Sequence, residues 1–269
     1  MWQIRHNRST NRHLPLFPKI DSFAAANHHS VGGCDLFARI QGPSANWVQA
    51  QDATWRRGVE RLRASPLLSL LLLIDITFIA VHLWLWSRGQ LSVQLDIEVD
   101  GSIPEFFNYL KWLTSAVACA YAFYRRGEPL YLAWAMLFTY FLADDVNSIH
   151  EQIGIKVATA FDLGPALMLR GLDLGELSVS LTVGAVLLGV MVLLYWRTDN
   201  DYDARGFTRQ QLPWLGLLIF CGVVVDMLHI QIGIFGSPVL TLLCVVVEDG
   251  GEMIAASFLA AISVRQAAG

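Results

Sequence analysis

The chain has 269 residues, of which 54% are hydrophobic and 16% are charged, and its formal net charge is −4. Soluble domains carry about 25% charged residues. This composition, with its positive mean hydropathy, therefore excludes an ordinary soluble domain and predicts a multipass membrane protein. The mild acidity and the lack of a basic cluster exclude the surface that nucleic-acid binding requires. We therefore expect the lipid bilayer, not nucleic acid, as a partner, and the sequence leaves protein partners open.

Residues 1–60 differ in composition from the rest of the chain. They contain four of the seven histidines, scattered arginines and no apolar periodicity. They lack the apolar core of about 7–15 residues that a secretory signal peptide contains. The pattern indicates either a disordered cytoplasmic tail or a start codon assigned too far upstream. Residues 61–269 are then the transmembrane domain.

From Pro66 onward the hydropathy predicts an all-α bundle of about six transmembrane helices, because about 20 apolar residues cross the hydrocarbon core. The predicted spans are about 66–86, 106–124, 129–149, 177–196, 212–234 and 238–263. Pro129, Pro213 and Pro238 lie near the predicted helix starts, where a missing N–H costs least. The moderately apolar segment 150–176 is either a short interfacial helix or an ordinary loop.

The arginines of the short connections predict the orientation. If there are six spans, all of these arginines fall on one side of the membrane: Arg56, Arg57, Arg61, Arg63, Arg125, Arg126, Arg197, Arg205, Arg209 and Arg265. The connection 87–105 on the other side is acidic. Because cytoplasmic loops are enriched in Lys and Arg, we predict that both termini are cytoplasmic, in a bacterial inner (plasma) membrane.

Acidic and histidine side chains interrupt four of the six apolar stretches. They are Asp75 and His82; Asp144 and Asp145, followed by His150 and Glu151; Asp226 and His229; and Glu248, Asp249 and Glu252. With a helical rise of 1.5 Å per residue, the alternating directions of the spans place these groups at comparable depth, in the middle to outer half of the bilayer. The sequence therefore predicts one polar cluster inside the bundle.

Helical spacing predicts which of these groups share a face. Asp144, Asn147 and Glu151 share one, whereas Asp145 and His150 lie off it. Each ionised side chain near a helix centre costs about 2.5–3.5 kcal/mol. A bound metal, protonation or a water-filled cavity must therefore offset the charge of the eight carboxylates.

A mixture of carboxylate and imidazole without thiolate suits Zn, Fe or Mn. The predicted metal ligands are a subset of His82, Asp144, His150, Glu151, Asp226, His229, Glu248 and Glu252. Asp75 and Asp249 are the candidate catalytic residues, as a general base or as a group that orients a histidine. The first hypothesis is a metal-dependent membrane enzyme, a hydrolase or oxidoreductase, that acts on a lipid-like or small apolar substrate.

Two alternatives stay open. In the first, the acids bind a cation or relay protons in a transporter or channel. In the second, the protein is a non-catalytic membrane subunit whose buried acids only fix helix packing. Polar groups become rare toward the cytoplasmic side, where residues 67–74 contain only Ser69. This distribution favours a one-sided site over a channel.

Overall fold

The computed structural model describes residues 65–166, 169–198 and 202–269, with the backbone alone at Tyr202, Ile234 and Phe235. Within these ranges the chain is helical, and the only extended pairing is an isolated bridge between Ala166 and Leu169. The all-α class predicted from hydropathy is thus confirmed. The tail predicted over residues 1–60 lies outside the described residues.

Eight α-helices and one π-helix follow one another in the described chain. They are α1 (Pro66–Ser87), α2 (Ile103–Arg126), α3 (Pro129–Asn147), α4 (Ile149–Ala160), α5 (Gly171–Arg197), α6 (Tyr202–Ile219), the π-helix (Phe220–Val225), α7 (Asp226–Phe235) and α8 (Pro238–Ala268).

Two of the three prolines predicted near helix starts lie there, and Pro66 and Pro104 occupy the same position in α1 and α2. Pro66, Pro129 and Pro238 lie in the first turns of α1, α3 and α8, where proline has no intrahelical hydrogen bond to lose. Pro213 lies inside α6. Helix α6 thus begins ten residues before the predicted start of the span at 212, because the polar segment from Tyr202 to Gln211 is itself helical.

The segment 150–176 contains a helix, not only a loop. Helix α4 packs along α5, and glycine allows the close crossing: a Cβ on Gly175 would overlap the carbonyl oxygen of Gly154. Helix α5 begins at Gly171, six residues before the predicted boundary at 177. Small residues at a crossing let two helix backbones approach closely.

Helices α2, α3 and α8 form the interior of the bundle. Helix α2 packs against α3 and α8, and α8 also contacts α1, α6, the π-helix and α7. Their facing sides supply most of the apolar core, including the fully buried Tyr131, Trp134, Phe138 and Leu259. The polar groups of α2 and α8 are therefore carried by central helices.

Three helical segments are long and apolar enough to cross a membrane: Pro66–Ser87, Gly171–Arg197 and Asp203–Gly233. At most 22% of each apolar window is buried within the protein, and large side chains such as Leu73, Val186 and Leu193 are exposed on them. Such an apolar exterior is compatible with a lipid bilayer. The other three predicted spans, in α2, α3 and α8, were not found by the same length and hydropathy criteria.

The two ends of the bundle carry opposite charge. Where α2 ends, the Arg126 guanidinium pairs with Asp203, donates to Tyr131 Oη at 2.9 Å and donates to the carbonyl of Gln266 at 3.1 Å. Where α2 begins, the connection before it carries four acidic side chains: Asp96, Glu98, Asp100 and, in the first turn, Glu105. One end is thus basic and the other acidic.

Candidate functional site

An acid-lined cavity of about 140 Å³ lies at the acidic end of the bundle. Four segments form it: the connection before α2, the first turns of α2, the junction of α3 and α4, and the middle of α8. Its polar lining consists of Glu98, Asp100, Glu105, Asn108, Asp144, Asp145, Ser148, His150, Glu151, Asp249 and Glu252. Eight of these side chains are carboxylates, and no lysine or arginine is among the residues that line the cavity.

A break between two helices places Asp144 and His150 together. Ser148 has a left-handed conformation (φ 45°) that ends α3 and starts α4, a conformation uncommon outside glycine. The chain turns there, so that the His150 N–H donates to Asp144 Oδ1 at 2.9 Å and the His150 ring Nδ1 lies 3.0 Å from Asp144 Oδ2. The hydrogen bond to Asp144 raises the pKa of His150.

The same break interrupts the helical face that the spacing predicted for Asp144, Asn147 and Glu151. Asp144, Asn147 and Glu151 do not share a continuous face, because the helix is interrupted between them and Asn147 is exposed. Asp145 and His150, which the spacing placed off that face, line the cavity. Asp144 and Glu151 do line the cavity together, as the spacing predicted, but the argument was wrong for Asn147, Asp145 and His150 because it assumed one unbroken helix.

The hydrophobic core fixes Asp145. Trp112 Nε1 donates to Asp145 Oδ2 at 2.8 Å, and the Trp112 ring is 3% exposed and stacks on Phe138 at a centroid distance of 6.1 Å. The Tyr109 hydroxyl lies 3.2 Å from the Asp145 carbonyl oxygen and 2.5 Å from Glu105 Oε1. The aromatic donors of α2 therefore hold this carboxylate at the cavity wall.

The π-helix accommodates the acids of α8. A Cβ on Gly222 would overlap Glu252 Oε1, and a Cβ on Gly251 would overlap Cys221 Sγ. Glycine at 222 therefore leaves the space that the Glu252 carboxylate occupies. Short π-helical segments within α-helices occur frequently at functional sites.

A second polar group adjoins the cavity without lining it. His229 Nδ1 lies 2.8 Å from Glu248 Oε2, and Asp226 interacts electrostatically with Glu248. Glu252 interacts electrostatically with Glu248 and Asp226 as well as with Asp145 and His150. Glu252 thus couples the cavity to the group on α7.

Asp75, a predicted catalytic residue, does not line the cavity. Its Oδ1 accepts from Lys111 Nζ at 2.6 Å and its Oδ2 accepts from Ser257 Oγ at 2.5 Å. Lys111 Nζ also donates to Asn108 Oδ1 and to the carbonyl of Met253, each at 3.0 Å. The carboxylate is fully buried, and its contacts are those of an ion pair joining α1, α2 and α8.

His82, a predicted ligand, faces the connection before α2. Its Nδ1 lies 3.2 Å from Asp96 Oδ1 and 3.4 Å from the Ile97 amide nitrogen. The side chain is buried, and its Nε2 has no hydrogen-bond partner among the described residues. Asp75 and His82 are therefore both buried, but they have separate partners.

The described residues contain no group of three or more His, Cys, Asp or Glu side chains arranged to hold a metal ion. The predicted ligands divide between the cavity (Asp144, His150, Glu151 and Glu252), the group on α7 and α8 (Asp226, His229 and Glu248) and the isolated His82. The predicted base Asp249 lines the cavity. Four further acids of the cavity were proposed neither as ligands nor as catalytic residues: Glu98, Asp100, Glu105 and Asp145. The sequence signal for the first three was the acidic connection 87–105, which was used only to assign the orientation.

The described residues form an all-helical protein whose three most apolar helices are compatible with a lipid bilayer. The chain belongs to the family described as a domain of unknown function, DUF8692, whose match covers residues 70–266 and thus every helix from α1 to α8 in whole or in part. No curated protein and no solved structure matches the chain.

Proposed function

We propose that the protein crosses a plasma membrane six times, through α1, α2, α3, α5, the continuous run from α6 to α7, and α8, with both termini cytoplasmic. The contrast between the two ends of the bundle supports this arrangement. The end around Arg126 also carries Arg125, Arg197 and Arg265 in the last turns of α2, α5 and α8, whereas the opposite end carries Glu98 and Asp100. Under the positive-inside rule the basic end faces the cytoplasm. The acid-lined cavity then opens on the other side.

We infer that this cavity binds a divalent cation. The observation that carries the inference is a cavity lined by eight carboxylates and by no lysine or arginine. Carboxylates gathered in a region of low dielectric constant repel one another, and a cation that enters the cavity removes this repulsion. A lysine is the other way to neutralise a buried carboxylate, and Lys111 does so for Asp75 in the same protein.

The lining favours a hard cation with oxygen ligands. His150 is the single imidazole among the lining residues, whereas Zn²⁺ sites are built largely from Cys and His. Among the metals expected from the sequence, Mn²⁺ suits a carboxylate-rich site best. Since no three ligands are preassembled in the described residues, we propose that the cation retains part of its water shell, as hard cations do.

A column of aromatic rings between the cavity and the basic end supports a one-sided site. Trp112, beside Asp145, stacks on Phe138, Phe138 contacts Trp134 at 5.5 Å, and Trp134 contacts Phe207 at 5.9 Å. Phe207 in turn lies 5.4 Å from Tyr131, which binds Arg126. This apolar filling favours an enzyme over a channel.

We propose that the enzyme is a metal-dependent hydrolase acting on a lipid-like or small apolar substrate. The carboxylates of the cavity would hold the cation, which when bound would supply Lewis acidity and a water of lowered pKa. Asp249 lines the cavity and is the residue we assign to accept the proton from the attacking water. Asp75 then serves as the structural ion pair described above.

Titration with Mn²⁺ tests the cation site, because the sharp electron paramagnetic resonance spectrum of free Mn²⁺ is lost on binding. We expect one equivalent to bind to detergent-solubilised protein. Glu252→Gln should weaken binding roughly 10–100-fold, the range seen when metal-site partners are removed. The matched control is Asp162→Asn, which removes an exposed carboxylate outside the cavity. No stoichiometric binding, or equal losses in both variants, contradicts the proposal.

Hydrolysis of an acyl ester in nanodiscs tests the reaction. Asp249→Asn should abolish turnover that depends on Mn²⁺, because the proton acceptor is lost. Turnover that is independent of both Mn²⁺ and Asp249 would contradict the enzyme assignment.

The group on α7 and α8 supports a second candidate, a cation- or proton-coupled transporter. Asp226, His229 and Glu248 extend the polar interactions of Glu252 beyond the cavity. Flux into proteoliposomes that Asp226→Asn abolishes would favour this candidate. Mn²⁺ binding without flux would exclude it. If neither Mn²⁺ binding nor flux occurs, the third hypothesis from the sequence, a non-catalytic subunit, gains support.

A further inference from the structure

A second cavity adjoins the acid-lined one and differs from it in chemistry. It has a volume of about 320 Å³ and lies between the end of α1, the connection before α2 and the start of α8. Its apolar lining comes from Trp86, Leu91, Pro238, Leu242 and Val245. Volumes of about 300–1,000 Å³ with a mainly apolar lining are typical of small-molecule sites.

The connection before α2 determines which nitrogen of His82 is a donor. Ile97 is 6% exposed and packs with Val245 and Met253 of α8, and its amide N–H donates to His82 Nδ1 at 3.4 Å. Because Nδ1 is the acceptor, the proton of the neutral ring is on Nε2. Asp96 Oδ1 lies 3.2 Å from Nδ1 and would stabilise the charged ring, in which Nε2 also carries a proton. Nε2 is therefore a donor in both forms.

This donor has no acceptor among the described residues. His82 lines the cavity and is 1% exposed, and its Nε2 makes no hydrogen bond within the described chain. Thr241 also lines the cavity, but its hydroxyl donates to the carbonyl of Ser237 at 3.1 Å. A buried donor without an acceptor is unfavourable. A ligand that supplies an acceptor to Nε2 is therefore bound more tightly than one that does not.

The charge around His82 determines which acceptor fits. Asp96 contacts the ring, and Glu98 lines the cavity. Two carboxylates beside one imidazole leave a net negative charge even when the ring is protonated. A fatty-acid carboxylate or a phosphate would meet this charge and be repelled. The carbonyl oxygen of an ester accepts a hydrogen bond and carries no charge.

We propose that this cavity binds an uncharged acyl ester, whose carbonyl oxygen accepts a hydrogen bond from His82 Nε2. The part of the acyl chain nearest the ester lies against Leu242 and Val245. Because Glu98 lines both cavities, the ester lies beside the proposed cation site. This inference rests on the proposed function and gives the substrate of the hydrolase a class: an uncharged ester of a long-chain acid. His82 then binds the substrate, not the metal.

Photocrosslinking tests the site, with methyl palmitate that carries a diazirine close to its ester group as the probe. Nanodiscs of an ether-linked phosphatidylcholine contribute no ester carbonyl, and a chelator prevents metal-dependent turnover of the probe. We expect crosslinks to the start of α8 that unlabelled methyl palmitate competes away.

Two competitors at equal membrane concentration test the two parts of the recognition. Hexadecane lacks the acceptor, and palmitate adds a charge. Each should compete at least about fivefold less well than methyl palmitate, because the one leaves a buried donor unpaired and the other places like charges together. Equal competition by either compound, or crosslinks that avoid α8, would overturn the proposal.

Two substitutions of His82 separate its donor from its other contacts. His82→Gln and His82→Phe both remove the Nδ1 that accepts from Ile97, so they share this structural loss. The glutamine amide retains an N–H donor, whereas phenylalanine has none. We expect His82→Gln to keep the preference for methyl palmitate over hexadecane and His82→Phe to lose it. The same preference in both variants would contradict the role of Nε2.

Two variants of α8 test the position of the acyl chain. Leu242→Trp fills the cavity and should reduce crosslinking strongly, whereas Leu240→Trp, at an exposed position of the same helix, should not. Equal crosslinking of these two variants would place the ester outside the cavity.

Mn²⁺ binding separates this proposal from the cation site. Leu242→Trp should leave the Mn²⁺ affinity as in the wild type, because Leu242 does not line the acid-lined cavity. Ester-selective crosslinking without any Mn²⁺ binding would refute the cation site while upholding the ester site. Mn²⁺ binding with non-selective crosslinking would do the reverse.

Discussion

Two regions of the bundle place carboxylates among apolar helices, and they treat the charge in opposite ways. Asp75 is fully buried and has a lysine at 2.6 Å and a serine at 2.5 Å. The acid-lined cavity gathers eight carboxylates without a lysine or arginine. Natural proteins keep such unfavourable arrangements mainly where function requires them. The comparison therefore separates a carboxylate that joins helices through an ion pair from the carboxylates at which we propose a bound cation.

The largest expected effect concerns the paired region. Lys111→Met should lower the free energy of unfolding by about 3–5 kcal/mol, because it leaves the Asp75 charge buried without a partner. Thermal unfolding in detergent, followed by circular dichroism, measures the loss. The double variant Asp75→Asn/Lys111→Met should recover part of it, since the unpaired charge is then gone.

Lys156→Met is the matched control for this prediction. It makes the same substitution at an exposed position of α4, where changes of about 0.5 kcal/mol or less are usual. An equally small effect at Lys111 would mean that the buried pair contributes nothing to stability, and the comparison would fail.

Removal of a carboxylate charge from the cavity should instead increase the stability of the protein. Glu252→Gln should raise the free energy of unfolding by about 0.5–2 kcal/mol, the usual size of a stabilising substitution, because it relieves repulsion from Asp145, Glu248 and Asp226. The same unfolding measurement, made with a chelator, tests it. With saturating Mn²⁺ the wild type should instead be more stable than Glu252→Gln, since a ligand that binds only the folded state stabilises it.

A smaller and more local effect is expected at Gly222. An added Cβ would displace the Glu252 carboxylate, so Gly222→Ala should weaken Mn²⁺ binding about tenfold or more, the lower end of the range for disturbed metal sites. Gly216→Ala on α6 is the control, because a Cβ there meets nothing within 4 Å. Equal Mn²⁺ affinity in both variants would place Glu252 outside the site.

The smallest expected effect is the pH dependence contributed by His150. Its hydrogen bond to Asp144 raises its pKa above the ordinary value of 6.5. Folding therefore gains stability from this group below pH 6.5 and loses it as the pH rises through the folded-state pKa. Unfolding at several pH values with a chelator present should show this loss, and His150→Gln should remove it. A loss on acidification instead would contradict the assigned contact.

The sequence predicted the helices better than it predicted their interruptions. Each predicted span overlaps a described helix, and three of them, in α1, α5 and the run from α6 to α7, are apolar enough to cross a membrane. Hydropathy could not reveal the left-handed residue at Ser148 or the π-helix from Phe220 to Val225. No glycine or proline adjoins Ser148, and a glycine such as Gly222 does not by itself mark a break, since Gly184 and Gly189 lie within the unbroken helix α5. For this reason the prediction that Asp144 and Asn147 share one helical face was wrong.

The candidate site was predicted in part. Asp144, His150, Glu151, Asp249 and Glu252 were chosen from their positions, and all of them line one cavity. The pairing of Asp75 with Lys111 joins residues 36 positions apart, so it depends on how helices pack, which spacing along one helix cannot show. The acids of the loop before α2 were noticed in the sequence but, without a tertiary structure, not connected to the site.

The π-helix restricts changes in the length of the helical run from α6 to α7. Residues of an α-helix advance by about 100° each, so the loss of one residue between Phe220 and Val225 would turn everything after it by that angle. Asp226 and His229 would then point away from Glu248, even though no residue of the site had been lost. We expect insertions and deletions here to be selected against more strongly than most substitutions.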